Sequence, residues 1–382
     1  MVQTEALATP SPMIQKSFYR PELDVLRFFA FFGVFLYHFA RPAQLYIEHG
    51  IPRWIAVSGN ALIQGGVFGV DLFFALSAFL ITELLLREKE KYGVLDVRGF
   101  YIRRILRIWP LYFFAIGLAL IPAINPGHAF TWRYAVAFLL LAGNWSIIFY
   151  GMPVHSFAGV LWTVSIEEQF YLLWPPLVRK LPRKRIGWAA IAMLIISNVT
   201  RIVMVASHGG TASVWFNTLA RLDPIAAGIL VAVALKGNVP SFSLPARLGM
   251  ILCGIAPFPF IANYWEFHAP ARLAWFPTVV SFPTVAVGCT LILLGVLGIS
   301  IQLPRFLVHL GKISYGLYVY HGLGNILSGK IIPVHVLFLQ LALRPILALG
   351  ITILLASMSY AFLEKPFLKL KVRYTHVDSR PL

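Results

Sequence analysis

The sequence predicts an all-α membrane protein: a polytopic helical bundle of about ten transmembrane helices, with one re-entrant or broken segment and one amphipathic cytoplasmic helix. Of its 382 residues, 59% are hydrophobic and only 12% are charged, and the mean hydropathy is +0.77. Soluble domains carry about 25% charged residues, so this composition excludes that class. The apolar runs are continuous and about 20 residues long, which favours spanning helices over the short alternating strands of a membrane barrel.

Basic residues lie mostly at the ends of the apolar segments, and this pattern predicts the topology. Positive-inside orientation accounts for most of the formal net charge of +17, so we expect no nucleic-acid partner. With every basic cluster in the cytoplasm, both termini are cytoplasmic and the chain crosses the cell (inner) membrane many times. The candidate spans are residues 22–41, 67–87, 109–124, 134–150, 160–178, 186–206, 217–235, 248–263, 279–299, 313–329 and 336–363.

One interval does not fit an even number of crossings. An odd number of apolar segments lies between the basic residues Arg107 and Arg179, so one of these segments should fail to span. Gly143 and Pro153 interrupt the apolar pattern within residues 134–165. Irregular backbone at membrane depth is tolerated only where protein buries it or where it lines a wet cavity. We therefore expect this region to be re-entrant or broken.

The domain organisation follows from the same pattern. We expect a disordered cytoplasmic tail at residues 1–17, one transmembrane domain at 18–370, and a cytoplasmic tail at 371–382. Cys253 and Cys289 lie in apolar stretches without metal-ligand spacing, and no His-Glu-x-x-His pattern occurs, so we expect no metal. The sequence also lacks a Walker loop and a Gly-x-Ser-x-Gly elbow, which leaves acid and base chemistry inside a membrane.

The first apolar segment carries three groups that lipid disfavours: Asp24, Arg27 and His38. Arg27 and His38 are eleven residues apart, which returns them to nearly the same helix face at about 100° per residue. They are about 16 Å apart along the axis, and Asp24 lies on the same stripe one turn before Arg27. An ionisable group at mid-bilayer costs about 2.5–3.5 kcal/mol, so we expect this stripe to face the bundle interior.

The segment LWTVSIEEQFYLLWPPL places two glutamates inside another apolar run. Glu167 and Tyr171 share one helix face, whereas Glu168 points about 100° away. These glutamates either pair with basic groups and hold helices together or take part in catalysis, and the residues alone favour neither role.

Other polar residues allow two interpretations each. Asp71 either counters a buried cation such as Arg27 or lies near the outer interface, and Ser77 has the spacing of a helix-packing hydroxyl. Arg221 and Asp223 lie at the start of a span, where a local ion pair is the default expectation.

The segment GKISYGLYVYHGL aligns three polar side chains on one helix face: Ser314, Tyr318 and His321. His321 is the rival of His38 as the titrating group, although a histidine inside the membrane is also often a hydrogen-bonding strut.

Residues 96–112 are typical of an amphipathic cytoplasmic helix in which Arg103, Arg104 and Arg107 alternate with apolar residues. The physical pattern favours an interfacial helix held by anionic lipid. The alternative is a binding site for the phosphates of a nucleotide-containing donor such as coenzyme A, because guanidinium groups match phosphate oxygens geometrically.

These motifs together resemble one family, the integral membrane O-acyltransferases of acyltransferase family 3, which includes O-antigen, Nod-factor and macrolide acyltransferases. The resemblance covers the chain from about Tyr19 to Lys369. Ala78 departs from it, because the family usually has Gly there, and the chain resembles a stand-alone version without the fused SGNH hydrolase-like domain of many members. The matching motifs, in order, are Arg-x10-His, VDLFFALSAFLI, FYIRRILRIWPLY, WTVSIEEQFYLLWP, RLDPIAAG, GKISYGLYVYH and LEKPF.

The resemblance implies transfer of an acyl group, commonly acetyl, from acyl-CoA to a hydroxyl of a carbohydrate, lipid-linked glycan or other small hydroxylated acceptor. It implies that His38 is the essential histidine, that Arg27 is its companion in the donor site, and that Glu167 is the carboxylate of the WTVSIEEQFYLLWP motif. Our hypothesis for the mechanism is that His38 deprotonates the acceptor hydroxyl and that Glu167 orients or charge-balances the histidine. Direct transfer and an acyl-histidine relay are both compatible with the resemblance, as are a partner acyltransferase or a homo-oligomer.

The competing class is a multi-helix transporter or flippase that uses the same intramembrane polar residues as a proton or substrate pathway. Inverted repeats would support that class, and the sequence has no convincing internal repeat.

Overall fold

The computed structural model describes residues 19–121, 130–153, 156–264, 273–332 and 339–374. Within these ranges the chain is helical and has no β-strand, which confirms the all-α prediction. The predicted N-terminal tail, residues 1–17, lies outside the described residues, as does most of the predicted C-terminal tail.

The first half of the chain contributes nine α-helices within the described residues. Their bounds are α1 Pro21–His38, α2 Ala43–Glu48, α3 Arg53–Gly65, α4 Gly69–Tyr92, α5 Val97–Ala119, α6 Trp132–Leu139, α7 Gly143–Tyr150, α8 Trp162–Lys180 and α9 Arg183–Ala206.

The second half contributes nine further α-helices within the described residues. These are α10 Thr211–Trp215, α11 Leu222–Leu235, α12 Leu244–Ile255, α13 Pro257–Tyr264, α14 Trp275–Val296, α15 Arg305–Lys312, α16 Ser314–Ile331, α17 Arg344–Ser359 and α18 Lys365–Lys371.

The molecule is a membrane helical bundle. Among the described residues, five helical segments are long and apolar enough to span a membrane. The segment α1 is not one of them, because Glu22, Asp24 and Arg27 lower its hydropathy. The predicted total of about ten crossings therefore stays a prediction. The five segments are Arg53–Tyr92, Arg183–Ala206, Leu244–Asn263, Trp275–Val296 and Leu339–Tyr374.

The region 134–165 is broken, as the sequence predicts. Two helices of eight residues each, α6 and α7, are separated at Leu141, which adopts a left-handed φ of 57°. Each is only about 12 Å long, too short to span alone. The side chain of Gln169 donates to the Leu141 carbonyl at 2.9 Å and to Asn144 Oδ1 at 3.0 Å. This hydrogen bonding satisfies the backbone that the break leaves without a helical partner.

The amphipathic segment at 96–112 and the following apolar segment form one continuous helix, α5. Its first turn is capped by Asp96, whose side chain accepts a hydrogen bond from the Gly99 amide at 2.9 Å. The helix continues through Pro110. The prediction of a separate amphipathic helix is therefore replaced by one long helix with a basic first half.

Close packing of α4 against its neighbours fixes the position of the site. A Cβ added to Gly69 would lie 2.2 Å from the Ala30 carbonyl oxygen of α1. A Cβ added to Gly228 of α11 would lie 2.1 Å from the Ala75 carbonyl oxygen of α4. Only glycine permits backbones to approach this closely, so small residues set the distance between these helices.

Candidate active site

A central cavity lies between α1, α4, α5, α8 and α16 and collects many of the predicted site residues. The space between its walls amounts to about 710 Å³. Phenylalanine and aliphatic side chains complete its walls. The polar side chains that line it are Arg27, Ser77, Arg104, Arg107, Thr163, Glu167, Tyr171, Ser314, Tyr315 and Tyr318.

A second cavity, the cationic cavity, adjoins the first and shares Arg27, Ser77, Arg104 and Arg107 with it. The space between its walls is about 570 Å³. Among the described residues, Asp24 is the one carboxylate in its walls. Five cationic side chains face it, so the cavity is strongly electropositive. They are Arg20, Arg27, Arg104, Arg107 and Lys371.

Glu167 lies half-buried in the wall of the central cavity. The side chains of Ser77, Tyr171, Arg27 and Arg104 line the same cavity. The predicted face shared by Glu167 and Tyr171 is therefore present. The carboxyl group of Glu167 therefore lies in a cavity that also contains two hydroxyl groups and two guanidinium groups.

The stripe of polar residues on α1 faces these cavities in its first half. Arg27 Nη1 donates to Asp24 Oδ1 at 3.1 Å, and the Tyr19 hydroxyl donates to Asp24 Oδ2 at 3.0 Å. Asp24 is buried, and it holds the Arg27 guanidinium at the boundary between the two cavities.

The three arginines predicted to act together are divided by the structure. Arg104 and Arg107 line both cavities, and Arg104 lies over the Tyr171 ring at 5.5 Å. Arg103 lines neither cavity. Its guanidinium instead pairs with Glu88 at 3.0 Å and donates to the Tyr374 carbonyl at 2.6 Å.

His38 ends α1 and contacts a different set of residues from Glu167. Its Nδ1 lies 2.8 Å from the Val34 carbonyl oxygen, and its ring lies 4.8 Å from the His321 ring. Because a carbonyl only accepts, Nδ1 carries the hydrogen and Nε2 is the basic atom. His38 is not in the wall of either cavity, so the expectation that Arg27 and His38 border one hollow holds only for Arg27.

Tyr318 connects the central cavity to this pair of histidines. Its hydroxyl lines the cavity, accepts from Thr163 Oγ1 at 3.1 Å and donates to the Val160 carbonyl at 3.2 Å. Its ring packs 5.5 Å from the His321 ring. The predicted polar face of α16 is thus divided, because Ser314 and Tyr318 line the cavity and His321 lies beyond it.

Asp71 has a different partner from the one expected. It pairs with Arg221 at 2.9 Å, and both side chains are fully buried, so Asp71 does not counter Arg27. The local ion pair expected between Arg221 and Asp223 is also wrong. Asp223 instead pairs with Arg201 of α9, whose two terminal nitrogens bind its two carboxylate oxygens.

Sequence reasoning missed Arg201, which is fully buried. The sequence does contain a signal for it, because an arginine inside the apolar segment 186–206 is as costly to bury as Asp71 or Arg221. It also missed Arg20 and Lys371 of the cationic cavity, which lie at helix ends where basic residues are unremarkable in a membrane protein.

Among the described residues, no group of three or more His, Cys, Asp or Glu side chains could hold a metal ion. What the arrangement can do is bind a polyanion in the cationic cavity and place its apolar end beside hydroxyl groups and a carboxylate in the central cavity.

The chain is similar to known proteins over most of its length. A family model described as an acyltransferase domain matches residues 20–362. A Staphylococcus aureus (strain MSSA476) protein with a provisional O-acetyltransferase name is 27% identical over 93% of this chain and 58% of its own length. The O-acetyltransferase OatA of S. aureus (strain NCTC 8325) is 27% identical over 92% of this chain and 57% of its own length.

The chain thus spans a little over half the length of these curated relatives. No solved structure matches it significantly. Because the family model matches most of the chain, the protein belongs to the acyltransferase domain family.

Proposed function

We propose that this protein is a membrane-embedded O-acyltransferase that moves an acetyl group from acetyl-CoA to a hydroxyl of a carbohydrate, lipid-linked glycan or other small hydroxylated acceptor. Membership of the family supports acyl transfer. The O-acetyltransferase names of the relatives support acetyl as the group and oxygen as its acceptor atom.

The excess of positive charge in the cationic cavity supports acetyl-CoA as the donor. Among the described residues, Arg104 and Arg107 have no carboxylate within ion-pairing distance, although both face the cavity. Coenzyme A carries several phosphate charges, and guanidinium groups bind phosphate oxygens with paired, charge-assisted hydrogen bonds. We therefore place the phosphates of the donor in the cationic cavity and its thioester arm in the central cavity.

The thioester arm needs an environment that is mostly apolar with a few polar groups, and the central cavity has this composition. In the proposed complex Glu167 shares the cavity wall with the Ser77 and Tyr171 hydroxyls, and Tyr318 lies in the part of the wall nearest His321. Glu167 offsets the charge of Arg27 and Arg104 once the thioester is bound, and it orients polar groups of the pantetheine arm.

His38 is the proposed general base. Its Nδ1 hydrogen bonds to the Val34 carbonyl, which orients the ring and makes Nε2 the basic atom. In direct transfer, Nε2 takes the hydrogen of the acceptor hydroxyl and the oxygen attacks the thioester carbon. The carbon–sulfur bond then breaks, and the thiolate leaves and receives the proton. In the relay, Nε2 attacks the thioester carbon, the carbon–sulfur bond breaks and the thiolate leaves. The acceptor oxygen then attacks the acyl carbon, the carbon–nitrogen bond to Nε2 breaks, and the hydroxyl proton passes to the thiolate.

The proposed orientation places the cationic cavity on the cytoplasmic side of the inner membrane, where acyl-CoA is made, with both termini on that side. The acceptor then approaches from the end of α1 at which His38 lies. His38 is exposed there, so an acceptor can reach it without passing through the donor cavities.

The test is acetyl transfer by the purified protein in proteoliposomes, with labelled acetyl-CoA inside and a carbohydrate acceptor outside. A positioned general base contributes about 10²–10⁴-fold to the rate, so His38→Ala should lose that factor while still binding acetyl-CoA. The matched control is His309→Ala, because His309 is exposed on α15 and lines neither cavity. Normal turnover by His38→Ala contradicts the assignment of the base. Movement of an acceptor across the membrane without consumption of acetyl-CoA indicates a transporter.

A further inference from the structure

Two histidines from different helices are in contact beside the central cavity. The His38 ring of α1 and the His321 ring of α16 lie 4.8 Å apart, with an angle of 61° between their planes. The proposed reaction uses one of them as its base. The role of the second therefore needs an explanation of its own.

His321 is buried and has one unused hydrogen-bonding atom. Only 1% of its surface is exposed, and its Nδ1 lies 2.6 Å from the Tyr318 carbonyl oxygen. Because that carbonyl only accepts, Nδ1 carries the hydrogen and Nε2 carries a lone pair. Among the described residues, Nε2 of His321 has no hydrogen-bond partner. Buried polar atoms are rarely left unpaired, so this atom is a candidate for a partner that forms during the reaction.

The tautomers of the two rings explain why they are in contact without a hydrogen bond to His321 Nε2. Each ring uses its Nδ1 hydrogen on a backbone carbonyl of its own helix, Val34 for His38 and Tyr318 for His321. In the neutral pair both Nε2 atoms are therefore acceptors, and two acceptors cannot bond to each other. A proton that arrives at His38 Nε2 converts that atom into a donor, and His321 Nε2 can then accept from it.

Three described side chains contact the His321 ring. From α1, Phe31 and His38 contact the His321 ring, and from its own helix Tyr318 does so. The segment Phe157–Leu161, which packs on α16, has no titratable side chain.

Two further described groups lie close to the pair. The Tyr37 ring packs 5.3 Å from the His38 ring. On α17, Arg344 is bonded to Asn325, one turn beyond His321, at 2.8 Å.

We propose that His321 is a positioning residue whose Nε2 accepts a hydrogen bond from His38 after His38 has taken the proton of the acceptor hydroxyl. The inference rests on the proposed function. One proton moves from the acceptor oxygen to His38 Nε2, is held between the two rings, and passes to the departing thiolate. His321 forms no bond to the acyl group, and its own proton stays on Nδ1.

The test compares His321→Leu, which removes the acceptor atom at similar volume, with His321→Gln, which can still accept through its side-chain oxygen. A hydrogen bond to a charged group is worth enough to move a pKa by about one unit. In the pH profile of kcat for acetyl transfer, the acidic limb should therefore move about one pH unit lower in His321→Leu. The kcat at pH 8 should fall about tenfold. His321→Gln should restore most of both effects, whereas a purely structural role predicts equal losses with an unmoved limb.

A second readout does not depend on turnover. In protein with labelled histidine, the NMR titration midpoint of the His38 ring should fall by about one pH unit in His321→Leu and by much less in His321→Gln. His309→Gln is the control and should leave the midpoint unchanged. An unchanged midpoint in His321→Leu overturns the inference whether or not the wild-type protein transfers acetyl groups. A shifted midpoint in a protein without transferase activity supports the proton link and contradicts the proposed reaction.

Discussion

Two regions of this protein concentrate arginine inside the helical bundle, and they differ in how the charge is balanced. In the paired cluster, formed by Arg201, Arg221, Asp71 and Asp223, each guanidinium bonds a carboxylate of another element, and all four side chains are fully buried. In the cationic cavity, cations outnumber carboxylates and face open space. Identical residue types thus serve different purposes.

The comparison separates structural arginines from binding arginines. The paired cluster joins α4 to α11 through Asp71 and Arg221, and α9 to α11 through Arg201 and Asp223. The Arg221 guanidinium also lies 4.2 Å from the Trp215 ring. Each arginine there is matched by a carboxylate, whereas Arg104 and Arg107 face the cationic cavity without one among the described residues. A buried cation with its own carboxylate holds helices together, and one without a carboxylate awaits an anion.

The largest expected effect is in the paired cluster. Asp71→Ala leaves the buried Arg221 charge uncompensated and should lower the free energy of unfolding by about 3–5 kcal/mol. Thermal unfolding in detergent measures this. The double variant Asp71→Leu/Arg221→Met removes both charges and should recover most of the loss. An Asp71→Ala protein that unfolds like the wild type but fails to bind acetyl-CoA would reverse the proposed roles of the two regions.

The next effect is in the cationic cavity. Arg104→Gln and Arg107→Gln each remove charge-assisted hydrogen bonds worth about 1.5–3 kcal/mol, so the Kd for acetyl-CoA should rise about 10- to 100-fold in each. Stability should change little, because neither arginine holds an ion pair among the described residues. Isothermal titration measures the Kd. Arg185→Gln is the matched control, since Arg185 is exposed at the start of α9 and should leave the Kd unchanged.

The smallest effect tests whether structural and binding arginines are correctly distinguished. Arg103 is adjacent to Arg104 in sequence but pairs with Glu88 outside the cavities. Arg103→Gln should lower the stability by about 1 kcal/mol, as for other single ion pairs near a surface. It should leave the Kd for acetyl-CoA within about twofold, which corresponds to under 0.5 kcal/mol, because Arg103 lines neither cavity. A tenfold loss of affinity would return Arg103 to the binding site.

Sequence reasoning succeeds here where the physics is local. Hydropathy alone indicates the membrane bundle, because burial of apolar runs near 20 residues long needs no knowledge of partners. The break in residues 134–165 follows from Gly143, Pro153 and the positive-inside count. The stripe that contains Asp24 and Arg27 follows from helical periodicity, and the two residues do bond one turn apart.

The tertiary structure decides which partner each buried charge receives. The cost of burial shows that Asp71 and Arg221 must be paired, but a helix period cannot show that their partners lie on each other's elements, 150 positions apart. The same limit applies to Arg103 and Arg104, which are adjacent on one helix but contact different neighbours. It applies as well to His38 and His321, whose contact depends on how α1 packs against α16. Periodicity assigns a residue to a face, and only the packing of helices assigns that face a neighbour.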